Sequence, residues 1–158
     1  SELLIEAVDM KPFGPDASIL DLGCGYGPIG ITLAKDAPDG EVHMMDKDFM
    51  AIEYAEKNAK TNRARNCKAY LSNGLAHVPK DARFDIIVSN IPAKVGKELL
   101  QIIMKDTARH LKPGGRFYVV TIAGLRKFMK RHFEETFGNY KKLKQSKGYA
   151  VAVAEKAS

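Results

Sequence analysis

With 158 residues, 45% of them hydrophobic and 28% charged, the chain has the composition of an ordinary globular protein and the length for one well-packed core rather than two. No apolar run approaches the roughly 20 residues that span a bilayer. The opening stretch SELLIEAVDMK lacks the basic segment and apolar core of a secretion signal, so a cytoplasmic location is expected.

The net charge of +6 is placed unevenly. Residues 1–120 carry 16 Lys and Arg against 16 Asp and Glu. Residues 121–158 carry nine basic residues (Arg126, Lys127, Lys130, Arg131, Lys141, Lys142, Lys144, Lys147, Lys156) against Glu134, Glu135 and Glu155. A one-sided basic region suits a partner with a phosphate backbone. A solvated helix face followed by a lysine-rich hairpin accounts for it equally well. Cys24 and Cys67 have no CxxC spacing and no histidines clustered beside them, which reads as two buried thiols, with no metal site.

In chain order, SELLIEAVDM predicts a short amphipathic helix laid against the sheet. Residues 17–23 (ASILDLG) predict a buried strand, and residues 27–37 a helix closed by Pro38, Asp39 and Gly40. A second strand covers EVHMMD, residues 41–46. Asp48 stands as N-cap before a helix whose Met50, Ile52, Tyr54 and Ala55 suit one buried side. CKAYL (67–71) is a third strand with a loop after it, and FDIIVSN (84–90) a fourth. The segment from Gly96 is an amphipathic helix stopped by Pro113 and Gly114, and GRFYVVTI (115–122) is a fifth strand. LRKFMKRHFEETF makes a last helix. YKKLKQSKGYAVAVAEK predicts two strands around a turn near Gly148, hence an antiparallel hairpin at one edge.

Strand and helix alternate, so the expected fold is α/β: a mostly parallel, doubly wound sheet with helices on both faces. The continuous apolar runs of the first, fourth and fifth strands fit burial on both sides. In such sheets ligands bind at the carboxyl ends of the strands, near the point where strand order reverses. The first strand ends in LDLGCGYGPIG, where Gly23, Gly25 and Gly27 alternate and Gly30 lies further into the helix. Alternating glycines allow a tight turn and a close approach of ligand to main chain. The second strand ends in Asp46, whose carboxylate can accept from both hydroxyls of a ribose. The spacing is G-x-G-x-G rather than the G-x-G-x-x-G of dinucleotide folds, and Asp21 lies two residues before the first glycine. A carboxylate there suits an ammonium group, as in S-adenosylmethionine.

In this order DLGCGYGPIG, VHMMDKD, LSNGL and VSNIPAKVGKEL resemble the small-domain class I methyltransferases, a group that includes bacterial small-subunit rRNA guanine-N2 methyltransferases and single-domain relatives. The resemblance covers roughly residues 1–155. It implies a Rossmann-like, seven-stranded sheet and one domain over 1–158, with 1–16 as helix and lead-in and 17–158 as core. It also implies S-adenosyl-L-methionine as cofactor and RNA, above all rRNA, as partner, with neither membrane nor metal. Asp21 would face the methionine ammonium, directly or through water. Gly23, Cys24, Gly25 and Gly27 would form the loop around it. Asp46 would hold the ribose hydroxyls with Lys47 beside it, and Asn73 with Gly74 would meet the adenine. Apart from the resemblance, Tyr26 and Met45 are candidates to line the pocket, though ordinary packing explains them equally well.

Asn90, Ile91 and Pro92 stand where N-methyltransferases carry an Asn-Pro-Pro-aromatic motif, and the resemblance implies that Asn90 also contacts the cofactor. The Asn90 side-chain oxygen and the Ile91 carbonyl could each accept from a target amine, while Pro92 fixes the turn that carries that carbonyl. Ile91 replaces the first proline and Ala93 the aromatic. Lys94 and Lys97 that follow suit phosphate contact or a solvated helix start. With the first strand at residue 17, selection of an RNA site is expected to rest on the domain surface or a partner. Methylation of a protein amide or small amine remains an alternative, as does a non-catalytic cofactor-binding domain; a dehydrogenase is a weaker fourth.

Overall fold

The computed structural model describes residues 2–158. Seven strands form one sheet: β1 (Ser18–Leu22), β2 (Glu41–Asp46), β3 (Cys67–Leu71), β4 (Phe84–Asn90), β5 (Leu111–Ile122), β6 (Lys141–Ser146) and β7 (Tyr149–Glu155). Their order is β3-β2-β1-β4-β5-β7-β6, with the first five parallel and β7 antiparallel to both its neighbours. Strand order therefore reverses between β1 and β4, as expected of a Rossmann-like doubly wound sheet. Among the described residues five α-helices cover it: α1 (Glu2–Ala7), α2 (Pro28–Asp36), α3 (Phe49–Thr61), α4 (Lys97–His110) and α5 (Arg126–Phe137).

Side chains of a strand alternate between faces, so register decides which residues share a side. Ile19, Met44, Ile86, Val88, Val120 and Val151 pack in one core with Leu4 of α1, Leu33 of α2 and Ile52 of α3. Leu20, Met45, Ile87, Phe117, Val119 and Ala152 pack in the other with Met104 of α4 and Phe133 of α5. Each fully buried aliphatic of this kind contributes about 1.5–3 kcal/mol. Two filled faces explain why the central strands read as unbroken apolar runs.

Several expectations shift in detail. α3 is capped by Asp48, whose Oδ1 accepts from the Met50 N–H at 3.0 Å, but its buried side is Ile52, Ala55 and Ala59. Met50 and Tyr54 are exposed, because spacings of two and five residues do not share a helical stripe. α4 ends at His110, not at Pro113: Leu111 is already extended (φ −85°, ψ 140°) and pairs with Phe84 as the first residue of β5. Of the two thiols, Cys24 is buried while Cys67, on the edge strand β3, is only half-buried. The hairpin turn is Lys147 and Gly148, both at positive φ (50° and 82°), the geometry of the tight turns that match strand twist.

The C-terminal cations lie mainly on α5 and the edge strand β6. Lys144 pairs with Glu6 at 3.1 Å, and Arg126 and Lys142 both donate to Gln145 Oε1. Lysines on an edge strand discourage pairing with another chain, which favours the plainer reading of β6. Among the described residues no helix is long and apolar enough to cross a membrane.

Candidate active site

β1 ends at Leu22 and the chain turns at once through Gly23 and Gly25, at φ 75° and 57°. The turn hangs from its neighbour strand: the Gly23 and Cys24 amides both donate to the Met45 carbonyl, at 2.8 and 2.9 Å. The Gly25 amide donates to Asp46 Oδ2 at 3.0 Å, and the Asp48 amide donates to Oδ1 at the same distance. Asp46 thus braces the loop after β1 and the start of α3 together, with lone pairs of both oxygens still free to accept.

The four glycines divide into two pairs. A Cβ on Gly23 or Gly25 would meet nothing within 4 Å, so bare backbone faces an open cleft. Gly27 and Gly30 answer to packing instead. A Cβ on Gly27 would crowd Ile31, Ala55 and Met44, and one on Gly30 would stand 2.7 Å from Met44. Helix α2 can therefore lie directly on the sheet beside β2.

Asp21 is 1% exposed and its Oδ2 accepts from the Gly30 amide at 3.1 Å. Burial pushes its carboxyl up to about 7, with the Gly30 amide pulling the other way and the Asp46 charge adding to the rise. A cation at its side would restore the carboxylate. Cys24 is not a nucleophile: burial, then the charges of Asp21 and Asp46, push its thiol far up, and its Sγ donates to the Gly25 carbonyl at 3.3 Å.

Parallel pairing sets Asp21 beside Met44 and Val88, and Asn90 lies two residues beyond Val88. Asp21, Asp46 and Asn90 consequently project from the same face of three adjacent strands, the face covered by α1, α2 and α3. Asn90 is exposed at the end of β4. The Ile91 amide continues the ladder by donating to the Val120 carbonyl at 2.9 Å, while its side chain is buried on the opposite face. Pro92 opens a turn closed by the Val95 amide donating back to the Pro92 carbonyl at 3.3 Å. Lys94 and Lys97 are exposed beyond it.

The loop after β3 is held by a residue that the sequence reading passed over. Ser72, 4% exposed, donates through Oγ to the Gly74 carbonyl at 2.6 Å and accepts from the His77 amide at 3.2 Å. Asn73 is left exposed, and Gly74 turns at φ 59° beside open space. A serine directly before Asn-Gly at a strand end was the available signal. Lys47 is exposed next to Asp46, and Tyr26 is 62% exposed on the glycine turn. Met45 does not line the cleft: its side chain is buried on the α4 and α5 side, and only its carbonyl serves the loop.

The model of the Methyltransferase small domain family matches residues 1–153. The chain belongs to that family. The uncharacterised Bacillus subtilis protein YbxB is 34% identical over 158 residues, covering 99% of this chain and 77% of that protein. The ribosomal RNA small subunit methyltransferase C of Haemophilus influenzae is 33% identical over 129 residues, 79% of this chain and 37% of the enzyme. Among solved structures, the Thermus thermophilus 16S rRNA N2 G1207 methyltransferase, in complex with AdoMet and guanosine, superposes with a TM-score of 0.84 at 33% identity, over 98% of this chain and 42% of that one. The chain thus spans about two fifths of the length of the rRNA methyltransferases it matches. For a member of this family the cleft fits S-adenosylmethionine: bare glycine backbone, a buried carboxyl that a cation would ionise, and a second carboxylate with acceptor capacity to spare.

Proposed function

We propose that the chain is an S-adenosylmethionine-dependent N-methyltransferase whose target is an exocyclic amine of RNA, the N2 of a guanine in rRNA. The observation that carries the reading is the convergence of Asp21, Asp46 and Asn90 on one face of adjacent strand ends, around a glycine turn open to solvent. Family membership and the rRNA substrates of similar enzymes point the same way.

When bound, the cofactor supplies an electrophilic methyl carbon whose bond to sulfur breaks as the amine lone pair bonds to carbon. The chain's work is placement. Asp21 holds the ammonium end, and the turn lets the cofactor lie close against the main chain because no side chain stands at Gly23 or Gly25. Asp46, with Lys47 at its flank, holds the ribose hydroxyls, and Asn73 with Gly74 borders the adenine. At the other end the Asn90 oxygen and the Ile91 carbonyl accept from the two amine protons. This draws the lone pair out of conjugation with the purine and aims it at the methyl group. Pro92 stiffens the turn behind the carbonyl, and the proton lost from the alkylated nitrogen passes to water.

The test is calorimetric titration with S-adenosylmethionine and S-adenosylhomocysteine, followed by transfer of tritiated methyl to rRNA transcribed in vitro and therefore unmethylated. The parent protein should bind both and label the RNA. Asn90→Ala should still bind cofactor and lose labelling by 100-fold or more, a loss that saturating cofactor does not restore. Binding without labelling of any RNA would identify a cofactor-binding domain without this activity, and no binding at all would refute the reading.

A further inference from the structure

The motif after Asn90 lacks an aromatic: Ala93 stands at the position from which a ring would stack on the target base. Sheet register supplies one from elsewhere. Asn90 pairs with Val120 of β5, Val120 pairs with Val151 of β7, and two residues further along the same face Ile122 pairs with Tyr149. Tyr149 therefore stands on the Asn90 face of the sheet at the same end. It is two strands away and one side-chain repeat further out, a separation of about 12 Å between Cα atoms from standard strand spacing and rise.

Among the described residues the Tyr149 hydroxyl makes no hydrogen bond. It is 49% exposed as the first residue of β7, and the turn before it is made by Lys147 and Gly148. Its ring borders an open groove of about 340 Å³ lined also by Glu2, Leu3, Glu6, Ser146 and Lys147. The far wall is formed by Glu2, Leu3 and Glu6, the last of them paired with Lys144 at 3.1 Å, and offers an apolar side chain and carboxylate acceptors to a base. Lys147 is exposed at the hairpin tip and lines the groove. Ile122, half-buried, pairs with Tyr149 and stands on the same face two residues beyond Val120, the partner of Asn90.

We infer that Tyr149 is the stacking platform for the nucleobase whose amine reaches Asn90, and that the β6–β7 hairpin tip is the substrate side of the cleft. This deepens the proposed RNA methylation and rests on it. Aromatic stacking on a base is worth about 1–3 kcal/mol, so the ring substitutes in energy for the missing residue at position 93. With Lys147 beside the base's own phosphate, the hairpin holds one nucleotide by face and backbone together.

The chain has no tryptophan, so Tyr149→Trp creates a single-tryptophan reporter. With S-adenosylhomocysteine present, a guanine-containing RNA oligonucleotide should quench the introduced indole, and the same oligonucleotide with its guanines replaced by abasic sites should not. In methylation assays Tyr149→Ala should raise KM for RNA roughly 5- to 100-fold, with cofactor affinity and melting temperature unchanged; Tyr149→Phe should restore the parent KM, as a stacked ring requires and a hydroxyl contact does not. An unmoved emission with RNA that the variant still methylates, or an unchanged KM in Tyr149→Ala, would overturn the assignment while leaving the methyltransferase reading intact. If the parent protein binds cofactor but methylates no RNA, the RNA reading fails and the stacking role falls with it.

Discussion

Across 3.0 Å the Gly25 amide donates to Asp46 Oδ2, so the residue that ends β2 holds the turn that follows β1. The carboxylate proposed to grip a ribose is also the brace of the loop proposed to cradle the rest of the cofactor. Asp46→Ala should therefore weaken S-adenosylmethionine by more than one lost contact, at least tenfold and up to several hundredfold. Asp46→Asn retains an oxygen for the Gly25 amide and should fall between the two. Calorimetry on the three proteins checks this; equal affinities for the alanine variant and the parent would dissociate Asp46 from the site.

Asp21 makes both stability and binding depend on pH. Its folded value of about 7 lies above the ordinary 3.8 of an unfolded aspartate, so between these values the folded state holds a proton that the unfolded state releases. The contribution of Asp21 is full below pH 4 and is lost as pH rises through about 7, amounting to a few kcal/mol. Asp21→Asn should flatten the fall in stability of the cofactor-free protein between pH 4 and 7, followed by urea unfolding. Cofactor affinity should change in the opposite sense, rising with pH through 7 in the parent as the carboxylate forms. In Asp21→Asn that rise should vanish.

Gly30 and Met44 test the packing beneath the turn. A methyl group on Gly30 would lie 2.7 Å from the side chain of Met44, which is fully buried. Gly30→Ala should cost about 1–3 kcal/mol of stability. Combined with Met44→Ala, which opens room, the penalty for the added methyl should shrink by at least half, because the two residues share one contact. Additive losses in chemical denaturation would contradict this.

Ser72→Ala should loosen the loop after β3 without unfolding the protein. It removes two hydrogen bonds made by one hydroxyl, to the Gly74 carbonyl and from the His77 amide, at a net cost of about 1–2 kcal/mol. With Asn73 and Gly74 less fixed, the cofactor should leave several times faster while Asn90-dependent chemistry on bound cofactor stays the same. Stopped-flow release and single-turnover methylation separate the two effects.

Local chemistry made much of this molecule legible in its sequence. The bounds of β2, β3 and β4 follow from apolar runs closed by polar or turn residues, and Asp48 announces the start of α3. Strand ends could be read as site positions because a sheet of this topology collects them at one edge. What escaped was set by partners distant in sequence. β5 starts at Leu111 because Phe84 pairs with it. The buried side of α3 is decided by the sheet beneath, and Met44 is what forbids a side chain on Gly30. Tyr149 looked like the start of a hairpin strand, and only pairing through β5 brings it to the end of the sheet where Asn90 lies.

β7 is inserted between β5 and β6 although it follows both in the chain. During synthesis, β5 therefore waits with one edge bare until residue 155 has emerged. Its Phe117–Val120 stretch is apolar and β-prone, the kind of edge that recruits other chains. A product truncated before Tyr149 would retain Asp21, Asp46 and Asn90 yet carry that open edge permanently. Such a fragment should aggregate rather than bind cofactor, so the segment that completes the sheet decides whether the newly made chain stays in solution.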